Sequence, residues 1–147
     1  MNSQFVIDAS VVARWYLTDE DTAERAVSLF EQFVQGRVTL FAPSLIMYEV
    51  PRALHRALRR RWVTSEMASQ YLLRFLDLEL TVIYRPEIIS GAHQLAERYQ
   101  CNFYDSCYLA LAELLGAPFV LADQKLQRQL AGRLDYLVPL NYLELRG

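Results

Sequence analysis

Apolar positions follow two rhythms along this chain. Short, largely apolar runs lie at residues 5–7, 38–42, 80–84, 119–121 and 136–139. Between them, apolar residues return at every third or fourth position, as they do on one face of a helix. Ala23, Ala26, Val27, Phe30, Phe33 and Val34 mark such a helix over residues 21–35, with Gly36 as its stop. Residues 10–17 form a shorter one, separated from it by the polar break Thr18, Asp19, Glu20 and Asp21. After Pro43, Ser44 is placed to cap a helix whose apolar face is Ile46, Val50, Ala53, Leu54 and Ala57. Pro51 lies inside that helix and deprives the Met47 carbonyl of its donor, so a kink near Glu49 or a restart is expected. Thr64 or Ser65 caps a helix over 65–79. Pro86 opens one that reaches about residue 100, and further helices cover 104–115, ended by Gly116 and Pro118, and 124–130.

The apolar runs do not alternate with polar residues. Strands of that kind are buried on both faces of a parallel sheet. The prediction is therefore an α/β protein, a three-layer α/β/α sandwich around about five short parallel strands. In such sheets ligands bind beyond the carboxyl ends of the strands, where the strand order reverses.

Composition adds limits. The chain has 147 residues, 53% hydrophobic and 22% charged, which suits one domain over 1–147 with a sizeable core. A net charge of −2 does not announce a nucleic-acid binder, so such an activity would need a local basic patch or metal ions. Cys101 and Cys107 have neither disulfide-framework nor metal-site spacing, and read as reduced thiols of a cytoplasmic protein. No stretch is apolar for long enough to span a bilayer, and there is no internal repeat.

Four acids stand at junctions that matter. Asp8 follows the first apolar run and Asp123 the fourth; Glu49 and Asp105 lie in apolar surroundings near helix starts. Taken singly, each has a plain explanation. Asp8 and Asp123 read as helix caps, Asp105 as a cap or dipole partner, and Glu49 as a solvated residue pairing with Arg52 or Arg56. Taken together, they would meet at one sheet edge, where mutual repulsion raises their pKa values unless cations intervene. Carboxylate oxygens without His or Cys suit Mg²⁺ or Mn²⁺ rather than zinc. His55 and His93 lie away from these junctions. Such a site suits phosphodiester hydrolysis.

These stretches, "VIDASV", "PSLIMYEV", "YDSCYLALAELLGAPFV" and "ADQKL", in this order, resemble the PIN-domain family, and within it the VapC-type toxins of toxin–antitoxin pairs. The resemblance covers nearly the whole chain. It implies a PIN-like fold and a Mg²⁺- or Mn²⁺-dependent endoribonuclease, with Asp8, Glu49, Asp105 and Asp123 as the four acids. On this resemblance Asp8 and Asp105 are the main metal ligands, and Glu49 orients or activates water. Asp123 completes the set, and Ser10 holds the first carboxylate. It also implies a homodimer kept in check by an antitoxin. Two positions depart from the family pattern: Leu121 stands where a Thr or Ser is usual, and Arg52 where Asn is frequent.

The stretch "PRALHRALRRRW" adds a basic face. Arg56 and Arg60 fall nearly in line with Glu49 on the helix and, with Arg52, are candidates for RNA phosphates; a solvated face is the plainer alternative. Trp15, Tyr16, Tyr71 and Phe75 are candidates for core packing, or else for a groove or dimer face. The two departures motivate an alternative function, a weakened PIN module that binds RNA or protein without cutting. A nucleotide-binding or phosphatase fold is disfavoured, because there is no P-loop and the chain has only five glycines.

Overall fold

The structure, a computed structural model, describes residues 2–17 and 23–145. The polar break at 18–21 lies outside the described residues. Strand β1 (Ser3–Ile7) leads through α1 (Ala9–Tyr16) and α2 (Ala23–Val34) to β2 (Val38–Pro43). Helices α3 (Ile46–Arg59) and α4 (Ser65–Leu76) connect to β3 (Thr81–Ile83). Next come α5 (Pro86–Tyr99), α6 (Phe103–Leu115), β4 (Phe119–Leu121), α7 (Gln124–Leu130) and β5 (Leu137–Pro139), followed by a 3₁₀ turn at Leu140–Tyr142 that the sequence pattern did not announce.

All strand pairs are parallel, in the order β3-β2-β1-β4-β5. The chain builds outward from β1 to β3, then returns to the other side of β1 to lay down β4. The order therefore reverses between β1 and β4, where a crevice opens at the carboxyl ends. Val6, Ile7, Leu40, Phe119, Val120 and Leu121 are fully buried, as non-alternating central strands require. Helix α1 packs on both α2 and α3, α3 packs on α4, and α5 packs along α6, which lies on β1, β2 and β4.

Three local expectations are corrected. Ser44 does not cap α3: its amide still donates to the Ile83 carbonyl of β3 at 3.1 Å, so the sheet ladder holds it and the helix starts at Ile46 with Leu45 before it. Of the two outcomes expected at Pro51, the restart does not occur: α3 runs unbroken through the proline. The buried face of Ile46, Val50, Leu54 and Ala57 holds the turns on both sides of the proline in one helix. Helix α4 ends at Leu76, not residue 79. Of the four aromatics left open, Phe75 is core, and Trp15 packs edge-on against Phe30 at 5.1 Å. Tyr16 meets Tyr71 at 5.5 Å. No helix among the described residues is long and apolar enough to cross a membrane.

Candidate active site

The crevice between β1 and β4 is walled by the residues that follow these strands. Asp8 continues the ladder by donating its amide to the Val120 carbonyl at 3.0 Å, which fixes its side chain at the crevice. It also caps α1, because its Oδ2 accepts from the Ser10 amide at 3.3 Å and the Ser10 hydroxyl at 2.5 Å. The Ser10 hydroxyl in turn accepts from the Ala122 amide at 3.0 Å. One hydroxyl thus ties the acid after β1 to the loop after β4. Across the crevice Asp123 caps α7, accepting from the Lys125 amide at 2.9 Å and the Leu126 amide at 3.3 Å. Both bonds end on Oδ1, leaving Oδ2 without a protein donor among the described residues.

The cap explanation thus holds for Asp8 and Asp123 without exhausting them, and it fails for Asp105. The cap of α6 is Asn102, whose side chain accepts from the Tyr104 amide at 2.7 Å. Asp105 is left half-buried in the first turn with its carboxylate unspent. Glu49 is not held by an arginine pair either. The Tyr108 hydroxyl, from the buried face of α6, donates to its Oε1 at 2.6 Å. Tyr108 is fully buried and stacked on Phe119 at 5.6 Å, so its hydroxyl cannot wander. The pattern of "YDSCYLALAELLG" makes Tyr108 look like core. The one available signal was its place one helical turn after Asp105, with a polar tip on an otherwise apolar face.

Three of the four acids are pushed towards the neutral form. Burial raises the Asp8 carboxyl to about 6; the Ser10 bonds oppose this and Asp123 adds to it. Burial likewise raises Glu49 to about 7; the Tyr108 hydroxyl lowers it again, Asp8 and Asp105 raise it and Arg52 lowers it. Asp105 rises to about 6 through burial, then Asp8, then Asp123, against Lys125. The four acids therefore feel one another across the crevice, as convergence at a sheet edge requires. They are coupled without touching: among the described residues no three His, Cys, Asp or Glu side chains gather closely enough to hold an ion as they stand. The donor chemistry, carboxylate oxygens in a partly desolvated crevice, suits a hard divalent cation.

Leu121 is fully buried, and its carbonyl accepts from the Gln127 side chain at 3.3 Å. His55 and His93 are exposed, and neither is among the groups that shift Asp8, Glu49 or Asp105. Arg52, Arg56 and Arg60 are exposed on α3, and Arg52 is near enough to Glu49 to act on its charge.

The profile of the PIN domain matches residues 5–132. Over 139 residues the chain is 32% identical to Ribonuclease VapC3 of Pyrobaculum aerophilum, covering 92% of this chain and 98% of that one. Its fold superposes on a crystal structure from Pyrobaculum aerophilum with a TM-score of 0.65 at 20% identity, covering 95% of this chain and 91% of the other. A toxin–antitoxin complex from Klebsiella pneumoniae superposes with a TM-score of 0.65 at 14% identity, covering 92% and 96%. The chain belongs to the PIN-domain family. VapC ribonucleases of this family generally use divalent metal ions.

Proposed function

We propose that this chain, as a single PIN domain over 1–147, is a Mg²⁺- or Mn²⁺-dependent endoribonuclease and the toxin of a VapBC-type pair. It works in the cytoplasm as a homodimer, and its cognate antitoxin is its inhibitor. The observation that carries the reading is the electrostatic coupling of Asp8, Glu49, Asp105 and Asp123 around the switch point of the sheet. The sequence kinship to a ribonuclease supports the substrate, and the fold shared with a toxin–antitoxin complex supports the partner.

Asp8 and Asp105 would hold the ion, Asp123 would contribute its free Oδ2, and Ser10 would keep Asp8 aimed at the crevice. A divalent ion there supplies an acidified water and offsets phosphate charge. Glu49, on the far side of the crevice, is the carboxylate placed to orient or deprotonate the attacking water, and the Tyr108 hydroxyl fixes which way it faces. Leu121 supplies no hydroxyl, and the bridge that remains is Ser10, which links Asp8 to the Ala122 amide.

The purified chain, freed of any antitoxin, should cleave RNA with Mg²⁺ or Mn²⁺ and stop with chelator. Asp8→Asn keeps the shape and the Ser10 contact but removes the charge. It should abolish cleavage while the circular dichroism spectrum stays native. Undiminished cleavage by that variant sinks the mechanism. Native folding with no cleavage by the parent favours the non-cutting module.

A further inference from the structure

Helix α3 carries an outward face that the acidic site leaves unexplained. Tyr48, Arg52, His55, Arg56 and Arg59 fall within an arc of about 100° on its surface, opposite the buried residues. The four basic residues, with Arg60, line an open cavity of about 470 Å³ that no acid lines. Five of the chain's 15 basic side chains lie within 52–61, and Glu49 is the one acid between 46 and 62. Glu49 is turned to Tyr108, and no carboxylate bonds to Arg56 or Arg59 among the described residues. Like charges one turn apart repel, so this face calls for an anion spread along the helix axis. At the crevice end stands Tyr48, 80% exposed and adjacent to Glu49.

We infer that this face is the track along which a single-stranded RNA leaves the crevice. Tyr48 stacks a base at the mouth, and Arg52, Arg56 and Arg59 take phosphates over about 10 Å of helix. The spacing fits a polyanion whose charges repeat along a line, and the exposed ring fits an unstacked base. The inference rests on the ribonuclease reading and adds where the strand lies.

The test uses the full-length chain with Asp8→Asn to block cutting. Binding of a labelled single-stranded oligouridylate is followed by fluorescence anisotropy over a salt series. Replacing Arg56 and Arg59 together by Ala should weaken binding and lower the slope of log K against log salt by about 1.4, from about 0.7 for each phosphate contact. Tyr48→Ala should weaken binding about tenfold, and Tyr48→Phe should restore it. All these side chains are exposed, and thermal melts confirm that each variant folds. Unchanged affinity and slope in the arginine variant, with Tyr48→Ala binding like its parent, overturns the track. Intact RNA binding with loss of binding to an acidic peptide assigns the face to a protein and also overturns it. If the chain carrying Asp8 cleaves RNA while these variants bind as before, the track alone fails. If it neither binds nor cleaves RNA, the ribonuclease reading falls and the track with it.

Discussion

Tyr108 serves the core and the site with different parts of one side chain. Its ring stacks on Phe119 beneath the sheet edge, and its hydroxyl reaches Glu49. Tyr108→Phe keeps the stack and removes the donor. The bond holds the Glu49 carboxyl down against burial, so its loss should push that group further up. The acidic limb of the pH–rate profile should move to higher pH. The rate should fall about tenfold, the value of a bond worth about 1.4 kcal/mol to a charged acceptor. A purely packing role would leave the limb where it was. The acids could be found in the sequence because a carboxylate among apolar residues is anomalous. Tyr108 could not, because an aromatic on a buried helix face is ordinary.

Helix α6 is apolar nearly all round and needs a close neighbour, which α5 supplies. A Cβ built on Gly91 of α5 would lie 3.3 Å from the Cβ of Ala110. Gly91→Ala therefore sets a tight contact against a helix-propensity gain of about 1 kcal/mol, and should be close to neutral in urea unfolding. Gly91→Leu gains similar propensity but forces the helices apart, and should destabilise by about 1–3 kcal/mol. If Gly91→Leu were as stable as the parent, the close approach of α5 and α6 would be refuted. At this scale, helix positions were legible from period and punctuation, since Gly36, Thr64, Pro86 and Gly116 act locally. Ser44 misled because pairing with β3, distant in sequence, extends the strand ladder to its amide, and the helix starts only at Ile46.

The molecule as a whole keeps its acidic crevice at a cost in stability. Asp8, Glu49 and Asp105 have folded pKa values raised from 3.8, 4.5 and 3.8 to about 6, 7 and 6. The folded state then retains protons that the unfolded chain has already lost. Their contribution is most favourable below about pH 4 and is lost as pH rises through 6 and 7. For Asp8, the most buried, the shift corresponds to about 3 kcal/mol as an upper bound. The thermal midpoint should fall between about pH 4 and pH 7, the window of these shifts. Asp8→Asn should raise it at pH 7.5 by about 1–3 kcal/mol of stability, and the gain should shrink towards pH 4. Mn²⁺ should raise the midpoint of the parent at pH 7.5 and that of Asp8→Asn much less. A midpoint insensitive to pH and to Mn²⁺ would remove the crevice as a coupled site.

The sequence by itself determined the order of elements, the parallel sheet and the four junction acids. These follow from periodicity, from caps and breakers acting over a few residues, and from the oddity of charge beside apolar runs. Only the tertiary structure decided what each acid leans on. Ser10 bridges Asp8 to the loop after β4, Asn102 frees Asp105 from capping, and Tyr108 reaches Glu49 across 59 positions of sequence. Those partners are chosen by strand order and helix packing, which bring together residues that no local pattern links.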